Sequence, residues 1–187
     1  MLKTELIEEV SSKINKKRLL HTLSVEKEAL KLAGYYGCSM EDASAAAILH
    51  DICRDFNIEE MNEYVKKYNL DNIYLNNIAL AHAKVASNYV KEKLKITNQD
   101  VIDAINFHTT GRENMSMLEK IIYIADIIEE NRDFEGVETL RELAYLHLDK
   151  AVLYALDLSI KYVVDKKEYL HMDTVLARDF LLNEYRR

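Results

Sequence analysis

One carboxylate lies in the middle of an otherwise near-apolar segment. Asp126 is the only charged residue in Ile121–Ile128 (IIYIADII), whose apolar residues recur with the spacing of a buried helix. An unpaired carboxylate there would cost on the order of several kcal/mol, as buried charges do. A positive partner is therefore expected opposite Asp126, and a metal ion held by imidazoles would supply that charge.

Four of the six histidines precede this carboxylate at long intervals. They are His21, His50 (followed directly by Asp51), His82 and His108. Imidazole and carboxylate ligands suit iron, manganese, zinc and other borderline metals rather than calcium. Each residue alone has an ordinary alternative, because a lone helical histidine is most often a surface or partly buried residue, and Asp126 could pair with a lysine or arginine. The ordered set favours a metal site.

The elements that must position these residues are predicted to be helices. Prolines are absent and glycines number four, which suits long helices but not an all-β fold with its many turns. Helices are predicted over about 2–15, over 17–36 (ending at Gly37), over 75–95 with His82, over 137–165 as one long or broken helix, and over 174–186.

Four further segments begin with a small polar residue followed three positions later by an acid, the pattern of a capping box at a helix N-terminus. The pairs are Ser39 with Asp42, Asn57 with Glu60, Thr97 with Asp100, and Ser116 with Glu119. Gly111 is expected to end the third of these helices, and the fourth carries Asp126. The sequence therefore predicts one all-α domain without repeats or linkers.

Length and charge restrict the classes of partner. A chain of 187 residues suits one domain with a real core. Its net charge of −7 argues against a nucleic-acid-binding surface, although local arginines could still bind a small anion. Cys38 and Cys53, in a chain without a secretory signal, indicate a reduced, cytoplasmic setting, and no apolar run approaches membrane-spanning length. Neither nucleic acid nor membrane is expected as a partner.

The order His…His-Asp…Asp resembles the HD-domain superfamily of metal-dependent phosphohydrolases. The surrounding sequence resembles one branch closely, the bacterial YqeK family of symmetrical bis(5′-nucleosyl)-tetraphosphate hydrolases. The matching stretches are 18–33 (RLLHTLSVEKEALKLA), 45–56 (AAAILHDICRDF), 80–87 (LAHAKVAS), 104–141 with HTTG and ADIIEENRDF, and 171–182 (HMDTVLARDFLL). The chain departs from the family pattern at Ser24, Arg54, Glu130 and Met172, none of which is an expected metal ligand.

The resemblance implies a single HD-domain helical bundle over 1–187 with a metal site in a central cleft. The metal-binding core would span about 17–132, and helices in 137–187 would pack on it and close a nucleotide pocket. One or two iron ions, or manganese or another divalent metal, would be held by His21, His50, Asp51 and Asp126. His82 and His108 would line the same pocket as second-metal ligands or phosphate contacts, and catalytic roles would belong to His82, His108 and Asp51.

The resemblance also implies the reaction, which is symmetrical cleavage of diadenosine tetraphosphate to two ADP by a metal-activated water. A product nucleotide of the ADP or GDP type would contact the metal-site residues and His82 and His108, and in addition Arg18, Arg54, Thr109, Arg132, Thr174, Arg178 and Asp179. The alternatives are a pyrophosphatase, phosphatase or cyclic-nucleotide phosphodiesterase of the same fold, or a nucleotide sensor without turnover. A homodimer is a further expectation, because apolar residues in 137–165 could serve an interface or the core equally well.

Overall fold

The computed structural model describes residues 2–185, and its regular structure is helical throughout. The helices are α1 (Lys3–Ser11), α2 (Lys16–Tyr36), α3 (Met40–Leu49), α4 (Ile58–Lys67), α5 (Ile78–Lys93), α6 (Gln99–Phe107), α7 (Met117–Ile128), α8 (Val137–Leu146), α9 (Leu148–Asp165) and α10 (Met172–Tyr185), with a 3-10 turn at Asn72–Tyr74. Within the described residues no β-strand is present and no helix is long and apolar enough to cross a membrane. The predicted all-α class is confirmed.

Side-chain caps determine where several helices begin. Three of the four predicted caps are confirmed, at Ser39, Asn57 and Ser116, each accepting a hydrogen bond from the amide three residues later. The prediction of Thr97 as a cap is wrong by one residue. Asn98 occupies that position, and its side chain accepts a hydrogen bond of 3.0 Å from the amide of Asp100. Asparagine is the stronger N-cap of the two neighbours, which explains the shift.

The segment 137–165 is broken rather than continuous. His147 has an extended backbone (φ −155°, ψ 92°) and separates α8 from α9. The apolar faces of both helices are buried in the core, through side chains such as Leu140, Ala144, Val152 and Leu156. These side chains therefore belong to the core, whereas Leu146, Tyr162 and Val164 of the same segment are exposed.

Five helices meet around the residues of chemical interest. The helix α2 packs against α3 and α7, and α6 packs against α3, α5 and α7. The helices α8, α9 and α10 lie outside this group, with α9 in contact with α7. As a result, side chains from α2, α5 and α7 and from the ends of α3 and α6 are brought to one place.

The glycine after α6 is expected to be sensitive to substitution. Gly111 has a φ of +64°, and a Cβ there would lie 3.3 Å from the Cβ of Ala177 in α10. Gly111→Ala should therefore lower the free energy of unfolding by about 1–3 kcal/mol, measured by urea denaturation. Gly34→Ala is the control, because Gly34 lies inside α2 with its nearest neighbour at 3.5 Å, and it should be neutral or stabilising. Equal effects of the two substitutions would contradict backbone strain at Gly111.

Candidate metal centre

Asp51 is a buried carboxylate on which four histidines converge. It follows α3 and is only 3 % exposed. Its Oδ2 lies 2.9 Å from Arg18 Nη1, 3.5 Å from His50 Nε2 and 3.8 Å from His21 Nε2, and its Oδ1 lies 3.2 Å from His82 Nε2 and 3.7 Å from His108 Nε2. The four histidines predicted to act together are thus brought together by the fold, with Asp51 between them.

Three of these imidazoles are held by main-chain carbonyl groups on the side that faces away from Asp51. The Nδ1 atoms of His50, His82 and His108 donate to the carbonyl oxygens of Ala47, Ile78 and Ile105 at 2.6, 3.0 and 2.7 Å respectively. A carbonyl oxygen can only accept, so each Nδ1 must carry the proton. In the neutral ring, Nε2 then has a lone pair directed at the centre, as a metal ligand requires.

The fourth imidazole is oriented by a carboxylate that the sequence analysis did not identify. Glu129 is 2 % exposed, and its Oε1 lies 3.2 Å from the Nδ1 of His21. Its Oε2 accepts hydrogen bonds from the backbone and side-chain nitrogens of Asn131 at 2.7 and 2.9 Å. Carboxylates commonly orient metal-binding histidines in this way. The available signal was the position of Glu129, about one helical turn after Asp126.

Two of the inward-facing nitrogens are buried without a hydrogen-bond partner among the described residues. They are the Nε2 atoms of His21 and His50. The His21 atom lies 3.0 Å from Asp126 Oδ1 without hydrogen-bond geometry. Such atoms are destabilising when buried alone, and a bound cation would remove that penalty. Ligand atoms of His21, His50 and Asp126 lie within 4.8 Å of one another, as do those of His50, Asp51 and His108. The residues therefore fit a divalent metal.

Asp126 has an ion-pair partner in addition to the imidazole that it faces. The Nη2 of Arg132 donates to Asp126 Oδ1 at 2.6 Å, and its Nε donates to the main-chain oxygen of Asp126 at 2.9 Å. The positive charge expected opposite this carboxylate is thus supplied in part by an arginine. Arg132 lies in the segment that follows α7, and its side chain folds back toward the end of that helix to pair with Asp126.

The carboxylates of the centre are ionised at neutral pH. Burial raises the pKa of Asp51, but the charge of His50 and hydrogen bonds from the other imidazoles outweigh it and hold that pKa well below its usual range. Burial likewise raises the pKa of Asp126, but the close contact with His21 and the nearby positive charges of His50 and Arg132 lower it strongly. Burial lowers the pKa of His50, whereas the charge of Asp51 raises it to about 9. The anionic oxygens favour a cation among them.

Two cavities adjoin the centre and share Arg132 as a wall. The larger, the aromatic cavity, has a volume of about 690 Å³ and is lined in part by Thr109, Thr174, Phe134, Tyr162 and Tyr169. The smaller, the lysine cavity, has a volume of about 520 Å³ and is lined in part by Lys17, Arg18, Leu20, His21 and Asn131. Both volumes lie within the range of about 300–1,000 Å³ typical of small-molecule sites. Of the predicted nucleotide contacts, these cavities include Arg18, His21, Thr109, Arg132 and Thr174.

Seven predicted nucleotide contacts line neither cavity. Four of them belong to the centre itself, namely Asp51, His82, His108 and Asp126, and the other three are Arg54, Arg178 and Asp179. Arg178 donates to Asp157 at 2.7 Å and to Asp179 at 2.9 Å, in an exposed group on α9 and α10. Arg54 is half-buried, and within residues 2–185 its guanidinium forms no hydrogen bond or ion pair. The surface ion pairs of Arg178 are the ordinary use of such residues.

Comparison with known proteins agrees with this geometry. The family model described as HD domain matches residues 18–131. The chain is 38 % identical to the symmetrical bis(5′-nucleosyl)-tetraphosphatase of Halalkalibacterium halodurans, covering 94 % of each chain, and 33 % identical to the protein of that name from Bacillus subtilis, covering 98 % of this chain and 99 % of the other. A 1.50 Å crystal structure from Clostridium acetobutylicum, described as a predicted HD superfamily hydrolase involved in NAD metabolism, aligns with a TM-score of 0.93 at 38 % identity over 98 % of both chains.

Removal of the Glu129 charge should weaken metal binding. Glu129→Gln preserves the shape but leaves the Nδ1 of His21 with a weaker acceptor, so the affinity for a divalent metal should fall about ten-fold or more, measured by competition with a chelator. Glu130→Gln is the matched control, because Glu130 is exposed and pairs with Lys27. Equal affinities in the two variants would show that Glu129 does not support the metal centre.

Proposed function

The chain belongs to the HD domain family, in the branch of the symmetrical bis(5′-nucleosyl)-tetraphosphatases, and we propose that it cleaves diadenosine tetraphosphate to two ADP in a metal-dependent hydrolysis. The observation that carries this proposal is the convergence of imidazole and carboxylate ligands on one buried centre, beside two cavities that share an arginine. The names of the relatives support the choice of substrate.

His21, His50, Asp51 and Asp126 would hold the metal, and we propose iron, with manganese as the other candidate. When bound, such a metal supplies Lewis acidity toward a phosphoryl oxygen and makes water nucleophilic near neutral pH. The protein's own contribution is to orient the ligands. Main-chain carbonyls and Glu129 hold the imidazoles with Nε2 directed inward. Little free energy is then spent on ordering the ligands when the metal binds.

Arg18 and Arg132 would bind phosphate oxygens. Each pairs with a carboxylate of the centre, at 2.9 and 2.6 Å, and each lines the lysine cavity. A guanidinium carries five N–H donors in a fixed plane, so it can bind a carboxylate and a phosphate at the same time. Fixed cations of this kind stabilise the negative charge that spreads over phosphoryl oxygens in the transition state.

His82 and His108 are assigned to the leaving group. Their Nε2 atoms are 3.0 Å apart, and the Nδ1 of each donates to a carbonyl oxygen. Two inward lone pairs at that distance repel each other unless a proton or another cation lies between them. A proton held there could be transferred to the oxygen of the departing ADP. A second metal ion is the alternative, which the grouping of His50, Asp51 and His108 favours.

The aromatic cavity would bind one nucleoside. Phe134, Tyr162 and Tyr169 offer ring faces on which a base can stack, and stacking of this kind stabilises binding by about 1–3 kcal/mol per base. Thr109 connects this cavity to the centre, because its hydroxyl lies 3.4 Å from the Nε2 of His82. A nucleotide in the cavity would therefore direct its phosphates toward the histidine pair.

We assign the protein to the cytoplasm. Cys38 and Cys53 are both free thiols. Free thiols persist in a reducing compartment, where structural disulfides are rare.

Product analysis tests the proposed reaction. Purified protein loaded with iron or manganese should convert diadenosine tetraphosphate to ADP alone, separated by chromatography. Production of ATP and AMP would contradict symmetrical cleavage. Absence of turnover on this substrate, with release of phosphate from other nucleotides or opening of cyclic ones, would favour another phosphohydrolase of the same fold. Tight nucleotide binding without turnover on any substrate would favour a sensor.

Asp126→Ala should abolish hydrolysis and metal retention together, since it removes a ligand; a loss of about 100-fold or more is expected in both. Asp133→Ala is the matched control, because Asp133 is an exposed acid in the same turn as Arg132. Survival of hydrolysis in Asp126→Ala would contradict the assigned metal ligands.

Elemental analysis of His108→Gln separates the two roles of the histidine pair. With a proton between His82 and His108, the variant should retain its metal content while kcat falls about 100-fold or more. With a second metal there, the content should fall by one ion per chain. His147→Gln is the control, because His147 is exposed between α8 and α9 and belongs to neither group of candidate metal ligands.

A further inference from the structure

We infer that the lysine cavity binds the second nucleoside diphosphate half of the substrate. This inference rests on the proposed function, because a symmetrical dinucleoside tetraphosphate carries one nucleoside on each side of the cleaved bond. The aromatic cavity accounts for one half only. The lysine cavity has the position, the charge and the apolar surface that the other half requires.

The position of the lysine cavity connects it to the reaction centre. It is lined by His21, whose Nε2 lies 3.0 Å from Asp126 Oδ1. It shares Arg132 with the aromatic cavity. A phosphate chain that passes Arg132 would therefore run beside the candidate metal ligands and enter both cavities.

The charge of the lysine cavity is opposite to that of the protein as a whole. Lys17, Arg18 and Arg132 line it, against one carboxylate, Glu129, which is buried and engaged with His21. The side chain of Lys17 is exposed, and its ammonium group forms no hydrogen bond or ion pair with any residue in the described range 2–185. In a chain with a net charge of −7, such a local cluster of cations attracts an anion such as a diphosphate.

The lysine cavity also offers surface for a nucleoside. Leu20 lines it and is 65 % exposed, so its side chain offers apolar surface to a ligand. A base that covers this side chain removes apolar surface from water. Asn131 adds a side-chain amide beside it, a group that can hydrogen-bond to a base or ribose.

Steady-state kinetics with two single variants tests the inference. Lys17→Ala and Leu20→Ser should each raise the KM for diadenosine tetraphosphate about three- to ten-fold, because each removes one exposed contact. Lys16→Ala and Leu146→Ser are the matched controls, since Lys16 is exposed in the same helical turn as Lys17, Leu146 is 69 % exposed, and neither lines a described cavity. Thermal denaturation should show all four variants folded.

Adenosine 5′-tetraphosphate, which lacks the second nucleoside, isolates the role of Leu20. Leu20→Ser should lower kcat/KM for diadenosine tetraphosphate relative to that for adenosine 5′-tetraphosphate by about three- to ten-fold. The inference would be overturned if this ratio of kcat/KM values were unchanged in Leu20→Ser and the KM values were unchanged in both variants, provided that the wild-type protein releases ADP from diadenosine tetraphosphate. The proposed function would then stand without it.

Equilibrium dialysis with ADP tests the inference without turnover. Metal-loaded wild-type protein should bind two ADP per chain, and Lys17→Glu should bind one. Binding of a single ADP by the wild-type protein would overturn the inference. Binding of two ADP without any release of ADP from diadenosine tetraphosphate would support the second site and refute the proposed function.

Discussion

A carboxylate buried among helices must be surrounded by positive or donating groups, and the structure around Asp51 is organised by that requirement. Arg18 and His21 approach it from α2, His82 from α5, and His50 and His108 from the ends of α3 and α6. Loss of any one of these helices would deprive the buried charge of Asp51 of at least one partner, at a cost on the order of several kcal/mol. The packing of these four helices and the geometry of the site are therefore determined together.

The sequence predicts the members of this site better than their partners. Ligand residues are recognisable by type and order, and the helices that carry them by periodicity and caps, so the His50-Asp51 pair and Asp126 could be identified directly. The roles of Glu129 and Arg132 depend on the path of the chain after α7, where a turn brings both back to the centre. The same limit applies to Arg178, whose surface ion pair with Asp157 depends on how α10 lies against α9.

The two cavities differ although the proposed substrate is symmetrical. A single chain without internal repeats provides no two-fold axis, so identical halves must bind in unlike surroundings. One cavity is aromatic, the other cationic with an exposed leucine. The symmetrical cut would then follow from the number of phosphates between a nucleoside and the metal centre, rather than from symmetry of the protein.

The helices that end at this site also contribute through their backbones. His50 and His108 are the C-terminal caps of α3 and α6. The aligned peptide dipoles of a helix place roughly half an elementary negative charge at its C-terminal end. Two such ends at one point favour a cation before any side chain is considered, and they repel a phosphate. The preference of this centre for a cation is therefore partly a property of the backbone. It would persist through side-chain substitutions that leave the ends of α3 and α6 in position.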